Sequence, residues 1–351
     1  VHLWNVGDAH LYDITLTLSD AAGNVHDTIT TYAGLRSVAV DGRKVLINGK
    51  PVFQRLVLDQ GYYIDGVMTA PSDDELIADI TRSLDAGFNG ARLHQKVFEE
   101  RFLYHADRMG YIVWGEFGDW GISGFGPDHD HQKPTSTFVA QWCEAVERDY
   151  SHPSIVGWCP LNETFQVPGD RFVELDDVTR GMFLATKLLD TSRPVLDTSG
   201  YAHRVQESDI YDSHDYDQNP ETFKERHAHV AEEKPFINNG WTEKPTNIPY
   251  RGQPFFVSEF GGIWWNPAKF DDKESWGYGD RVTSLDAFHA RFKGLCDILL
   301  EDPEMFGYCY TQLTDVWPEE NGIYTFDRQP KFDNALLRAV QVRKAACEET
   351  E

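Results

Sequence analysis

Two glutamates at the ends of short apolar runs are the residues best placed to do chemistry. The run 154–161 leads into Asn162 and Glu163, and the run 254–258 leads into Glu259. Apolar runs of this length are typical of strands that are buried on both faces. A carboxyl group at the mouth of such a strand is poorly solvated, so its pKa rises and it can hold a proton near neutral pH.

Two carboxyl groups placed in this way predict the hydrolysis of a glycosidic bond. If both act, a separation of ~5–5.5 Å corresponds to a retaining double displacement. Glu163 would protonate the leaving oxygen and later activate water, and Glu259, ionised, would attack the anomeric carbon. The amide of Asn162 would hydrogen-bond the sugar 2-hydroxyl, a contact that strengthens in the transition state.

Further polar residues at or after predicted strand ends complete the candidate site. Arg92 and Tyr216 are candidates to keep Glu259 ionised, with a structural ion pair as the alternative role of Arg92. His214 would bind substrate hydroxyls or make structural hydrogen bonds. The other predicted substrate contacts are His94, Asp59 and Trp317. The acidic and histidine residues of 128–131 alternate in a glycine-rich loop, where a solvated turn is favoured over a metal site.

The order of patterns along the chain predicts a closed barrel of parallel strands. Strand-like and helix-like segments alternate from residue 51 onward, and we count eight such units, two of them with weak helices. Glu163 follows the fourth strand and Glu259 the seventh. The predicted strands are 51–58, 90–94, 111–114, 154–161, 194–198, 210–214, 254–259 and 305–311. The predicted helices are 72–87, 99–109, 137–150, 176–189, 221–232, 284–300 and 334–346.

The first part of the chain has a different pattern. Residues 3–37 alternate as surface strands do, with a hairpin that turns at 19–24, and a second small hairpin spans 38–48. Two or three strands do not make an independent sandwich. We therefore predict the last strands of an incomplete all-β domain over 1–37 and a barrel domain over 38–351.

Composition excludes several classes of protein. The 351 residues carry a formal charge of −25, which argues against binding to a nucleic acid. No apolar run approaches the ~20 residues that a membrane helix needs. The five cysteines are odd in number and scattered, which favours free thiols and a reducing, cytoplasmic location. The sequence is compatible with a homo-oligomer.

With these residues in place, the chain resembles glycoside hydrolase family 2, the family of β-galactosidases, β-glucuronidases and β-mannosidases. The segments that carry the resemblance are 32–51, 88–94, 152–163, 258–260 and 321–331. The resemblance implies an α/β fold, a (β/α)8 TIM barrel preceded by a few β-strands of an incomplete immunoglobulin-like sandwich. It also implies a retaining exo-glycosidase with Glu163 as acid/base and Glu259 as nucleophile, and a jelly-roll sugar-binding domain that is absent here.

Departures from the family pattern guide the choice of substrate. The metal-ligand pattern after the third strand is not reproduced beyond Glu116, so we predict no metal and no other cofactor. Glucuronidases of the family share an Asn-x-Lys clamp where this chain has Glu319, Glu320 and Asn321. Acidic side chains there would repel a uronate, so a neutral, β-galactoside-like substrate is favoured.

Other functions compete with this prediction. The nearest are glycosidases with another glycone: arabinopyranosidases, glucosidases and glucuronidases. A different class is a truncated or inactive carbohydrate-binding barrel, against which the presence of Glu163, Glu259 and Asn162 argues.

Overall fold

The computed structural model describes residues 1–118, 136–163, 172–239, 245–267 and 274–349. The first part of the chain is antiparallel, as the hairpin patterns predict. Strands β1 and β2 form a two-stranded sheet, and the next three strands form a separate small sheet. The bounds are β1 (Tyr12–Ser19), β2 (Val25–Ala33), β3 (Val38–Asp41), β4 (Lys44–Ile47) and β5 (Lys50–Pro51).

The buried residue Asp107 is one of the anchors that tie the antiparallel segment to the barrel. The hydroxyl of Tyr32 in β2 donates to Oδ2 of Asp107 at 2.7 Å, and the backbone N–H of Ser154 donates to Oδ1 at 2.9 Å. The indole N–H of the buried Trp4 donates to the Asp107 carbonyl at 2.7 Å. Asp107 therefore holds both the β1–β2 hairpin and Ser154, which directly precedes the strand that leads to Glu163.

The barrel predicted from the alternation is confirmed as a TIM-barrel fold built on a parallel sheet. Seven strands pair in the order β10-β11-β12-β6-β7-β8-β9, and every residue in them is buried. Complete burial explains why β9, β11 and most of β8 and β12 read as apolar runs, whereas β10 carries polar residues of the site. The bounds are β6 (Gln54–Asp59), β7 (Gly90–Leu93), β8 (Ile112–Glu116), β9 (Ile155–Cys159), β10 (Tyr211–Asp215), β11 (Phe255–Gly261) and β12 (Met305–Thr311).

The predicted strand 194–198 is not a continuous strand. It lies beside β9 through two isolated parallel bridges, Trp158–Val195 and Asn162–Ser199. Pro194 has no N–H to donate, and the Asp197 carboxylate accepts the backbone N–H groups of residues 204 and 205. Backbone hydrogen bonds still join the segment to β9. On its other side, the N–H groups of Val195 and Asp197 donate to the side chains of Asp209 and Ser208 and not to a strand.

The helices lie where the apolar stripes predict them, with two shorter than expected. The Ser72 hydroxyl caps α1, and α2 ends at Gly110 in a left-handed conformation, φ 65°. At the end of the last helix, Arg55 donates to the carbonyls of Gln341 and Arg343, which satisfies acceptors that have no partner within the helix. None of the described helices combines the length and apolarity that a membrane crossing requires. The bounds are α1 (Asp73–Asp85), α2 (Glu100–Met109), α3 (Ser136–Asp149), α4 (Phe172–Leu189), α5 (Pro220–His227), α6 (Leu285–Leu300) and α7 (Ala335–Gln341).

Candidate active site

The two glutamates meet at the carboxyl-end edge of the sheet. Glu163 follows β9 and Glu259 lies in β11, and one oxygen of each lies within 4.8 Å of the other. The Glu163 side chain is 19% exposed and that of Glu259 is 5% exposed. Glu163 has φ 50°, a left-handed conformation that side-chain-bearing residues rarely adopt. The backbone therefore turns sharply at Glu163 as it leaves the strand.

Glu259 is surrounded by groups that favour its ionised form. Nη2 of Arg92 donates to its Oε1 at 2.8 Å, and the Tyr216 hydroxyl donates to its Oε2 at 2.5 Å. Burial would raise the pKa of Glu259, but His214, Arg92 and Tyr216 outweigh it, and the pKa is lowered to about 2. The structure thus brings Arg92 and Tyr216 to Glu259, as the sequence predicts.

Arg92 also organises the floor of the site. Its Nε donates to Oε2 of Glu116 at 2.6 Å, its Nη1 to the Ser258 carbonyl at 2.9 Å, and its Nη2 to Oδ1 of Asn162 at 2.5 Å. Both predicted roles of Arg92 are therefore present in the geometry, contact with Glu259 and a buried ion pair. The ion-pair partner is Glu116, whose side chain is fully buried.

Asn162 is held with one end of its amide fixed and the other end free. Oδ1 accepts from Arg92, and Nδ2 is buried with no hydrogen-bond partner among the described residues. A buried, unpaired donor is costly unless a ligand accepts from it. Nδ2 of Asn162 is therefore a candidate donor to a ligand hydroxyl group.

The other predicted site residues differ in their placement. Nδ1 of His94 lies 3.1 Å from Nη2 of Arg92 and 3.7 Å from Oε1 of Glu259. Burial lowers the pKa of His94 to about 3, so this imidazole is neutral. Asp59 is buried and accepts from the N–H of Gly61, and no hydrogen bond within the described ranges joins it to the glutamates. Trp317 is 56% exposed. Substrate contacts by these residues stay predictions.

A chain of side-chain amides, which sequence reasoning missed, ends on Glu319. Gln60 donates to Gln312 at 2.7 Å, Gln312 to Asn321 at 2.9 Å, and Asn321 to Oε1 of Glu319 at 2.8 Å. Burial raises the pKa of Glu319 to about 7, and the charges of Glu259 and other acids act in the same direction. In the sequence, only Glu319 and Asn321 stood out, because this chain departs there from the Asn-x-Lys clamp of the family's glucuronidases.

Aromatic rings support the same site from the other side. The ring of Tyr216 stacks on that of Tyr278, with centroids 3.4 Å apart and an angle of 3° between the planes. Trp276 meets Tyr278 edge to face at 5.5 Å. A cavity of about 720 Å³ opens next to Tyr216 and His214 and is lined also by Tyr201 and Phe236. The loop residue Tyr278 carried no pattern in the sequence that indicated this position.

Metal binding finds little support in the geometry. Within the described part of the chain, Glu163, His214 and Glu259 form a group whose ligand atoms are close enough for a metal ion. The fixed positive charge of Arg92, 2.8 Å from Glu259, opposes a second cation there, and we assign no metal ligands. Residues 128–131 lie outside the described residues, and the absence of a metal stays a prediction.

The fold defines a class of protein, the TIM barrels that carry two paired carboxyls at the carboxyl ends of their strands, and comparison with known proteins gives the family. A family model described as glycosyl hydrolases family 2, TIM barrel domain, matches residues 38–249, and the model named for glycosyl hydrolases family 2 matches residues 1–36. The chain belongs to glycosyl hydrolases family 2. The resemblance seen in the sequence is confirmed.

Individual relatives are distant. The chain is 26% identical over 360 residues to a β-glucuronidase of Paenibacillus borealis, and this match covers 96% of this chain and 57% of that protein. It is 28% identical over 195 residues to a β-galactosidase of Alteromonas mediterranea, and this match covers 55% of this chain and 18% of that protein. The structure of a β-D-glucuronidase of Dictyoglomus thermophilum matches with a TM-score of 0.77 at 19% identity, over 98% of this chain and 59% of that one. The match thus spans little more than half of the length of the two β-glucuronidases and less than a fifth of the β-galactosidase.

Proposed function

We propose that this protein is a retaining exo-glycosidase that cleaves a terminal sugar by double displacement. The observation that carries the proposal is the unequal pair of glutamates at one edge of the barrel. Their oxygens approach within 4.8 Å, which fits the retaining spacing and leaves no room for the water that an inverting enzyme places between its carboxyls. Glu259 is ionised by its neighbours, and Glu163 is the more exposed of the two.

Each residue of the site has a role in this proposal. Glu259 attacks the anomeric carbon while Glu163 protonates the leaving oxygen, which gives a glycosyl ester on Glu259. Water then attacks the same carbon, Glu163 takes its proton, and the ester bond to Glu259 breaks. Nδ2 of Asn162 donates to the sugar 2-hydroxyl, since this N–H has no protein partner in the described residues. Arg92 and Tyr216 keep Glu259 ionised between turnovers.

The chain of side-chain amides that ends on Glu319 supports an exo mode of action and a neutral glycone. Its members are Gln60, Gln312 and Asn321. These amides lock one another in orientation. We propose that they close one side of the site, which would favour a terminal sugar over a continuous chain. The chain of amides ends on an acid, and a uronate beside an ionised Glu319 would meet like charge. We therefore favour a neutral, β-galactoside-like substrate over a uronide.

A uronidase is the second candidate, because the relatives above include two named as β-glucuronidases. The same site also fits arabinopyranosides and glucosides, in which the substituents around the ring differ. A homo-oligomer and a cytoplasmic location stay predictions.

Covalent labelling tests the proposed function directly. The protein is incubated with activated 2-fluoro glycosides of galactose, glucose, arabinopyranose and glucuronic acid, and the adduct is located by peptide mass spectrometry. We expect a sugar ester on Glu259, formed fastest by a neutral sugar. A matched control is Glu233→Gln, an exposed glutamate paired with Arg43, which should label like the wild type, whereas Glu259→Gln should not label.

Two other results would change the assignment. Fastest labelling by the glucuronyl reagent would replace the neutral glycone with a uronate and leave the mechanism in place. No adduct with any reagent, in folded protein that still binds a sugar, would establish a carbohydrate-binding barrel without activity.

A further inference from the structure

A break in strand register aims His214 at the centre of the site. Along the β10–β11 pair, Ser213 lies opposite Val257, but the next residue, His214, lies opposite Glu259. The extra residue on one strand is a β-bulge, a feature that re-aims side chains beside active sites. His214 and the proposed nucleophile thus face each other across neighbouring strands.

The His214 imidazole lies between the two glutamates. Its Nδ1 is 2.7 Å from Oε1 of Glu163 and 3.3 Å from Oε2 of Glu259, and the side chain is fully buried. Nε2 lies 2.8 Å from the Ser199 hydroxyl. Gly200 leaves the space for the ring, since a Cβ there would come within 2.6 Å of three ring atoms and its φ is +80°.

The groups behind the ring determine which nitrogen of the His214 imidazole carries a proton. The Ser199 hydroxyl lies 3.2 Å from Oδ2 of Asp212, and the hydrogen bond and charge of His203 outweigh burial and lower the pKa of Asp212. An ionised Asp212 can only accept, so Ser199 donates to it and accepts from Nε2–H of His214. The state of Nδ1 is then set by the two glutamates, with Glu163 the nearer at 2.7 Å and Glu259 at 3.3 Å.

Charges on every neighbouring element act on His214. Burial and the Arg92 guanidinium lower its pKa, while Glu259 and Glu163 raise it, and the carboxylates prevail, so the pKa lies above its usual value. His94 is neutral and adds no opposing charge, because its own pKa is lowered to about 3. Asp212 contributes a further negative charge through Ser199.

We infer that His214 is a positioning residue that shares a single proton with Glu163 and thereby sets the pH range in which Glu163 can act as an acid. This inference rests on the proposed function. With one proton, the pair exists as imidazolium and carboxylate or as imidazole and carboxylic acid, and transfer between Nδ1 and Oε1 over 2.7 Å interconverts them. When the glycosidic bond breaks, this proton goes to the leaving oxygen. Attacking water returns a proton to the pair in the second step.

Titration of His214 by NMR tests the shared proton without any substrate. The full chain is labelled with ¹⁵N-histidine, and the His214 signals are assigned by their loss in His214→Asn. We expect the pKa of His214 to fall in Glu163→Gln, because the carboxylate that stabilises the imidazolium is gone. An unchanged titration in folded Glu163→Gln protein would overturn the inference, and it would do so whether or not the protein proves to be a glycosidase.

The pH dependence of kcat/KM tests the consequence for turnover. A pair that can hold its proton on either member keeps it to higher pH than Glu163 alone. In His214→Asn, which leaves an amide near the position of Nδ1 but cannot titrate, the alkaline limb should move to lower pH with a phenyl glycoside. With a 2,4-dinitrophenyl glycoside, whose leaving group needs no proton, the limb should hardly move.

The control variant removes another buried imidazole that does not touch Glu163. His227 lies 3.1 Å from Oδ2 of Asp215, and His227→Asn should keep the wild-type alkaline limb. Equal effects of His214→Asn on both leaving groups would show that the ring only supports the fold, and would overturn the inference. A wild type that turns over no glycoside would instead refute the proposed function, and the NMR titration would still decide the shared proton.

Discussion

Nη2 of Arg92 lies 2.8 Å from Oε1 of Glu259, and the Arg92 side chain is completely buried. The same guanidinium donates to Glu116, so one positive charge stands between two buried carboxylates. Burial raises the pKa of Glu116 although Arg92 opposes this, whereas the pKa of Glu259 is lowered to about 2. The barrel thus keeps the Glu259 carboxylate ionised, as nucleophilic attack requires, although this places charged groups in its interior.

Removal of Arg92 should destabilise the fold. Arg92→Leu leaves two buried carboxylates without their cation, and breaking a buried pair on one side costs about 3–5 kcal/mol. Urea unfolding followed by tryptophan fluorescence measures the loss in the free energy of unfolding. Arg101→Leu is the matched control, since its pair with Asp73 is about half exposed and should cost about 0–1 kcal/mol. Equal losses in the two variants would show that Arg92 carries no special electrostatic role.

Asn162→Ala should impair the enzyme only with substrates that have a 2-hydroxyl group. The unpaired Nδ2 is the donor for this hydroxyl in our proposal, and its loss should lower kcat/KM by roughly tenfold or more, about 1.4 kcal/mol. The matching 2-deoxy glycoside should be cleaved equally by wild type and variant, which closes a double-mutant cycle. A similar loss with both substrates would mean that Asn162 acts by holding Arg92 in place instead.

Tyr216→Phe should move the acidic limb of kcat/KM to higher pH. The tyrosine hydroxyl donates to Glu259 and lowers its pKa, so without it the carboxylate is protonated at a higher pH. The depressed pKa of Glu259 also contributes to the free energy of unfolding. This contribution is present above the ordinary pKa of the carboxyl and is lost as the pH falls toward about 2. Tyr250→Phe, whose hydroxyl donates to the Gln253 carbonyl, should leave the limb unchanged. An unmoved limb in Tyr216→Phe would exclude this role.

The sequence predicted those features that follow from strand ends. Glu163 and Glu259 each end an apolar run, and the carboxyl ends of parallel strands share one edge, so their proximity could be expected without coordinates. The same rule placed Arg92 and Tyr216 beside Glu259.

The parts that sequence reasoning missed depend on local backbone geometry and on loops. The bulge that sets His214 opposite Glu259 has no signature in residue types. The contact between Gln60 and Gln312 joins residues 252 positions apart, and glutamine has no preference that would mark it as a site residue. The predicted strand 194–198 keeps backbone hydrogen bonds to β9, but side chains accept the N–H groups of Val195 and Asp197 on its other side, so it is not a regular strand.

Glu319 should make the choice between neutral glycosides and uronides depend on pH. Burial raises its pKa to about 7, so it is neutral below this pH and negative above it, whereas a uronate is ionised throughout. The ratio of kcat/KM for a 4-nitrophenyl galactoside to that for the glucuronide should therefore rise as pH increases through about 7. In Glu319→Gln this rise should disappear, while Glu304→Gln, an acid paired with Arg43, should preserve it. A ratio that stays constant with pH in the wild type would show that Glu319 does not face the sugar substituent, and the preference for a neutral glycone would lose its physical basis.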